Sequence, residues 1–416
     1  MLGAAGLSAA AWWGTGCSPG GKQGVDAPRR SPAWSFAVPG SGGSWRPPVY
    51  WKGMVIAVRD AAEGAVVYSI HAPTGSMRWR FPCPAKVSEP VVVDGMVVVG
   101  TGMDDATGVW FGIDGATGVE RWRLPGVAGR YGAPTVADGV MYAHGTVKER
   151  SSAVRAFAAA DGRLRWSVPT AYQGAEVVAG GGVVYTVTGD VAGTGIDAAS
   201  GRAIWSARPE VESFGHVALS PDLKTVYALG DGGRGVVAYS LADGTRKWGV
   251  PVETVSGSAE FVVDGDTLYL TALTGVTALD TATGALRWSA PTEHAPGVDA
   301  CLVAHGLVVV STGDVGEADD DGNVRKAFGD VHALDAATGS ERWVFDAGTH
   351  VAESLAAGPD ALYAAHRDAQ LVAFAPASGA PLWQLDLPGD GFLMGPPVPA
   401  GEMLFAVGDN VYGITA

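Results

Sequence analysis

Asparagine, cysteine and basic charge are all in short supply along this 416-residue chain. Asn stands only at Asn323 and Asn410, and the cysteines are Cys17, Cys83 and Cys301, none next to another. Scattered thiols exclude a small disulfide-stapled scaffold and any bridge between adjacent cysteines, and Cys83 and Cys301 are expected to be free. With 28 Lys and Arg against 43 Asp and Glu the net charge is −15, and no basic run is longer than two residues. No nucleic-acid partner is expected, because phosphate binding calls for a clustered cationic surface. Beyond residue 33 no segment keeps an apolar spacing of three and four, so helices are not the main element. The eight His form no H-x-H, H-E-x-x-H or Cys-His pair at ligand spacing. Gly-rich stretches such as GDGGRG (230–235) read as hairpin turns, not phosphate loops.

Tryptophan, by contrast, is abundant and periodic. Eight times a Thr-Gly, Asp-Gly or Ser-Gly turn is followed, four residues after the Gly, by Trp: at Trp79, Trp122, Trp166, Trp205, Trp248, Trp288, Trp343 and Trp383. The cleanest copies are ALDTATGALRW (278–288) and ALDAATGSERW (333–343). Successive Trp lie 39 to 44 residues apart, except for 55 between Trp288 and Trp343. A period near 40 with one supersecondary unit per copy means a solenoid or a propeller.

The residues between copies choose the propeller. VVVDGMVVVG (91–100), TLYLTAL (267–273) and GLVVVSTG (306–313) are short, β-branched and bounded by turn dipeptides, the signature of strands. Each unit reads as four strands: one that carries the Trp at the outside, an inner apolar strand, its hairpin partner and a strand entering the next motif. The fold class is all-β, a β-propeller of four-stranded blades. The Trp fills the wedge that opens between blades toward the rim, and its Gly allows the turn, so the motifs are read as structural.

The pattern A-x-D-x-x-T-G-x-x-x-W resembles the tryptophan-docking repeat of the pyrroloquinoline quinone (PQQ) dehydrogenase-like propellers over about nine tenths of the chain. That family includes quinone-dependent alcohol dehydrogenases and a non-enzymatic, BamB-like branch whose chains end in a strand similar to the VYGIT segment here. The resemblance implies eight blades, the family norm. Counting Trp34, which opens the array without a motif before it, gives nine units. The terminal EMLFAVGDNVYGITA has two strands and no Trp after them, so the strand from Trp34 to Val38 is expected to pair with Val411 to Thr415 and close the ring, leaving no free sheet edge. Nine docking residues are thus named: Trp34 and the eight motif Trp.

Residues 1–17 are apolar and small up to Cys17, too short for a membrane span of about 20 residues, and resemble the signal of a bacterial lipoprotein cut at a lipid-modified Cys17. Gly14 stands where that pattern usually has Leu. Residues 18–33 read as a tether, and 34–416 as one propeller domain.

Candidate chemistry is sparse. The quinone enzymes need an adjacent Cys pair over the cofactor and a calcium held by Glu, Asn and Asp, and this chain lacks the Cys pair, so PQQ with Ca²⁺ is a minor reading and no catalytic residue is assigned. Glu89, Tyr131, Glu176, His216, Ser258, Asp299 and Glu353 precede or open the inner strands, where they would gather at one channel mouth as ligand or partner contacts, or simply meet channel water. The insertion at 313–330 carries Asp319 and Asp321, weak metal candidates within what reads as a solvated hairpin loop.

These residues point to an exported, monomeric, non-catalytic propeller, lipid-anchored at the cell membrane or else secreted. It would present loops and a channel mouth to a protein partner or a small ligand. The alternatives are a PQQ-dependent oxidoreductase and a carbohydrate or cell-wall binding module using Trp45, Trp51, Trp110 and Tyr172.

Overall fold

The computed structural model describes residues 27–38, 43–61, 64–101, 108–125, 134–148, 151–170, 177–188, 192–207, 217–230, 235–252, 260–272, 275–291, 298–314, 328–346, 354–366, 370–387, 393 and 395–416. They form 36 strands in nine four-stranded antiparallel sheets, with no helix among the described residues. The blades run in chain order: blade 1 (49–83), blade 2 (91–125), blade 3 (135–170), blade 4 (177–207), blade 5 (217–251), blade 6 (261–291), blade 7 (298–346), blade 8 (355–386) and blade 9 (398–415 with 34–36). Within each blade the four strands are joined in order from the first to the fourth, which carries the Trp. The ninth unit is therefore a full blade, one more than the family norm.

Local chemistry makes each sheet. The first two strands are joined by tight turns in which a positive-φ residue precedes Gly, as at Asp94-Gly95 (φ 49° and 82°) and Asp138-Gly139 (φ 51° and 70°). Such turns match the right-handed twist of the strands they connect. The third and fourth strands are joined by the repeat motif itself. In blade 6, Asp280 Oδ1 accepts from the backbone N–H of Ala282 and Thr283 and from the Thr283 hydroxyl, while Arg287 donates to Oδ2 at 2.7 Å. Asp114 with Thr117 and Arg121, and Asp335 with Thr338 and Arg342, repeat the arrangement.

The motif alanine has an equally plain role. Opposite each Trp on the third strand stands a small residue, Ala278 for Trp288 and Ala333 for Trp343, with Gly, Ala or Ser in the other blades. The indole lies across it and reaches the next blade. Eight of the nine Trp donate their indole N–H to a carbonyl of the following blade's motif at 2.8–3.1 Å, from Trp34 to Ala72 through Trp343 to Pro376. Each of these rings also covers the motif glycine of that blade. A Cβ on Gly284, whose φ is +72°, would sit 2.6 Å from the Trp248 ring. Glycine is needed there for conformation and for space.

Nine apolar clusters fill the nine junctions. Each joins two neighbouring blades, including Leu404, Tyr412 and Ile414 of blade 9 with Tyr363 and Leu371 of blade 8, and Phe405 and Val411 of blade 9 with Val55 and Ile70 of blade 1. The ring is closed. Closure runs through the strand Trp34–Phe36, shorter than the Trp34 to Val38 expected, which pairs Trp34 with Gly413 and Phe36 with Val411. Trp45 is fully buried in the same junction and donates to the Asp409 carbonyl at 3.0 Å.

Candidate functional site

Every connection from a second to a third strand, and from a fourth strand to the next blade, lies at one end of the ring, since strand direction alternates within each blade. Glu89 and Asp299, the two inner-strand candidates among the described residues, belong to that end. Glu89 is exposed, two residues before the first strand of blade 2 (Val91–Val93). Asp299 falls at the irregularity between Val298 and Ala300 in the first strand of blade 7 (Val298–Ala304). These two blades lie on opposite sides of the ring. Tyr131, Glu176, His216, Ser258 and Glu353 lie outside the described residues, as do Asp319, Asp321 and Cys17. The 313–330 insertion is the second-to-third-strand connection of blade 7, flanked by the pair Asp314 and Phe328. Among the described residues no group of three or more His, Cys, Asp or Glu side chains is placed to hold a metal ion.

The thiols do not fit a quinone site. Cys83 ends the fourth strand of blade 1, and Cys301 lies on the first strand of blade 7; both are free. Burial pushes each thiol up to about 12, with Glu120 adding to the rise at Cys83 and Glu260 at Cys301. They cannot form an adjacent pair over a cofactor. Asn410 is hydrogen-bonded at 3.3 Å to the Tyr412 hydroxyl in the last hairpin of the chain. Among the described residues, neither the thiols nor Asn410 forms the adjacent Cys pair and calcium ligand set that the resemblance implies for the quinone enzymes.

Two of the aromatics read as glycan platforms are core residues instead: Trp45 is 0% and Trp110 2% exposed. In the fold Trp45 bridges to Arg59 of the second strand of blade 1, and Trp110 belongs to the third strand of blade 2 (Val109–Asp114). Trp51 is partly exposed at the end of a first strand, with the Lys52 ammonium 5.3 Å from its ring. Tyr172 is not among the described residues.

Sequence reading also missed a group at the rim. Arg30 donates its backbone N–H to the Gln384 carbonyl at 2.8 Å and its guanidinium to the Thr415 carbonyl at 2.6 Å, and Gln384 donates its N–H to Pro28. Arg29 pairs with Asp386 at 2.8 Å. Residues 27–30, within the segment read as a tether, thus lie along the fourth strand of blade 8 (Pro381–Asp386).

A family model described as Outer membrane protein assembly factor BamB matches residues 23–145, 105–176, 150–315 and 327–416. The chain belongs to this family of PQQ-like propellers. No curated protein matches it in sequence. Among solved structures it is similar to BamB from Moraxella catarrhalis, at 16% identity and a TM-score of 0.51 over 92% of this chain and 98% of that one. It is also similar to the computationally designed Ika8 protein, at 14% identity and a TM-score of 0.57 over 91% and 98%. The quinohemoprotein alcohol dehydrogenase ADHIIG from Pseudomonas putida HK5 follows at 16% identity and a TM-score of 0.55, over 91% of this chain and 71% of that one. An assembly factor, a designed protein and an enzyme share this architecture, so the likeness establishes fold and leaves function to the site.

Proposed function

We propose that the protein is an exported, lipid-anchored, monomeric and non-catalytic propeller that binds a protein partner at the cell envelope as a scaffold or sensor. The observation that carries this reading is a match to a family described as an assembly factor across almost the whole ring, in a chain whose repeat residues are consumed by packing and whose thiols do not suit a quinone. Anchoring through Cys17 accords with its setting after an apolar stretch, and no described helix is long and apolar enough to cross a membrane. The partner surface is assigned to the end that carries Glu89 and Asp299, together with Tyr131, Glu176, His216, Ser258 and Glu353.

Cross-linking and affinity capture of the full chain from detergent-solubilised membranes tests this. A specific partner, lost when Glu89 and Glu353 are replaced by Lys, supports it; a chain that fractionates with the cytosol and captures nothing above background sinks it. The likeness to the alcohol dehydrogenase keeps a PQQ-dependent oxidoreductase as the second reading. Reconstitution with PQQ and Ca²⁺ followed by a dye-linked alcohol assay decides between them. Binding to insoluble glycan tests the cell-wall reading, which now rests on Trp51 and Tyr172.

A further inference from the structure

The junction of blades 2 and 3 departs from the other eight in two residues, one from each blade, that lie in the layer between them. Register across the blades is set by the small residue opposite each Trp. Two positions before it, the third strands of blades 3, 5, 6 and 8 carry Val154, Val236, Val276 and Leu371; blade 2 carries Trp110. One position before it, blades 1, 2, 5 and 8 carry Tyr68, Phe111, Val237 and Val372; blade 3 carries Arg155.

Trp110 packs with Met141, Ala143 and Phe157 in the core between these two blades. Arg155 pairs with Ala143 across the strands and lies two residues before Phe157, so alternation turns it into the same layer. Arg155 is 7% and Trp110 2% exposed, and neither Arg155 Nη1 nor Trp110 Nε1 has an acceptor among the described residues. The neighbours are small: Ala143 stands opposite Arg155, and Gly100 lies beneath the Trp110 ring. The first strands of blades 2 and 3 also come together less than any other neighbouring pair. His332, the other basic side chain at the Arg155 position, shows the ordinary solution: Glu341 lies 3.1 Å from its Nδ1. A buried guanidinium without such a partner is strongly unfavourable, because its lost hydration is not replaced.

We propose that the layer between blades 2 and 3 binds a small oxyanion, a carboxylate or phosphate group, held by the Arg155 guanidinium and the Trp110 indole N–H. A planar guanidinium and a neighbouring N–H supply the donors that the oxygens of such a group accept, and the anion neutralises the buried charge. The inference stands apart from the proposed function, since it concerns a blade junction and not the channel mouth.

Thermal unfolding of the full chain in sodium acetate, sodium phosphate and sodium chloride at matched ionic strength tests it. Acetate or phosphate raises the midpoint above chloride, with the folded-to-unfolded ratio growing about a hundredfold at a hundred times Kd; which of the two acts names the group. Arg155→Met abolishes the difference between salts. Equal midpoints in the three salts, or a difference that survives Arg155→Met, overturns the proposal. Should that variant fail to fold, the indole ¹H–¹⁵N resonance missing from Trp110→Phe is followed in the wild-type chain. Movement on titration with acetate or phosphate, beyond that with chloride, supports the site, and a static resonance refutes it.

Discussion

The Arg30 guanidinium lies 4.9 Å from the centre of the Trp383 ring, at the junction where no Thr-Gly turn follows. The other eight repeat Trp stack on a motif glycine and donate to a motif carbonyl, whereas no such motif joins the third strand of blade 9, Val411–Thr415, to its fourth, Trp34–Phe36. Arg30 covers Trp383 and ties the Thr415 carbonyl, so the segment before the first strand replaces part of the missing turn. Ring closure thus has two parts: the strand pair of Trp34 with Gly413, and this cap one blade earlier.

Replacing Arg30 by Ala is expected to lower stability by about 1–2 kcal/mol, the combined loss of a cation–π contact and a hydrogen bond from a charged donor. Arg29→Ala removes only the exposed pair with Asp386 and is expected to cost under about 1 kcal/mol. Urea unfolding of the two variants checks the contrast. Equal losses would show that the cap contributes nothing of its own.

The dual demand on the motif glycine gives a sharper contrast. Gly284→Ala places a Cβ against the Trp248 ring at a φ of +72°, whereas Gly306, at φ +73°, has nothing within 4 Å of an added Cβ. Left-handed strain alone costs about 1–2 kcal/mol, and overpacking adds about 1–3 kcal/mol. Gly306→Ala is therefore expected near the lower figure and Gly284→Ala about twice as costly, measured by the same unfolding curves.

The legibility of this fold follows from that crowding. An indole that must lie over one small residue and one glycine leaves Ala, Gly and Trp at fixed offsets, so Trp288 and Trp343 announce their blades, and Trp34 announces the ninth although its motif is missing. The candidate site was less legible because the polar residues before the inner strands, Glu176, His216 and Ser258 among them, differ in type from blade to blade, so no repeated residue marks a shared role. Trp45 and Trp110 stand outside the repeated motif, so no fixed offset in the sequence announces their burial. Arg155 becomes conspicuous only after the Trp set the register, because one arginine in a β-rich sequence ordinarily points to solvent.

Acid should loosen the motif turns together. Hydrogen bonds from Arg121, Arg287 and Arg342, then from Thr117, Thr283 and Thr338, hold Asp114, Asp280 and Asp335 down at about 2 against an ordinary 3.8. A depressed carboxylate stabilises the fold fully above its unfolded value and loses that contribution as pH falls through its folded value. Stability should decline from about pH 4 toward pH 2, and the triple Asp→Asn variant should show a shallower decline in thermal midpoints over that window. All three turns are exposed, so raising salt should shrink the difference.

The two propeller thiols should be inert at neutral pH. Nucleophilic attack requires the thiolate, and with Cys83 and Cys301 both pushed up to about 12, nearly all of each thiol stays protonated at pH 8. Cys83 is in addition almost fully covered, at 5% exposure, against Val58, Val67 and Val99 in the core between blades 1 and 2. In a Cys17→Ser chain, an aromatic disulfide reagent should therefore label neither residue in buffer over the time it labels free cysteine completely, and label both once urea unfolds the ring. Raising the pH from 8 to 9 should speed the slow native reaction about tenfold, since thiolate concentration climbs by that factor while pH remains well below the pKa. Rapid native labelling of either residue would mean that its junction opens, and the site of modification would identify whether blade 1 or blade 7 is the one that parts.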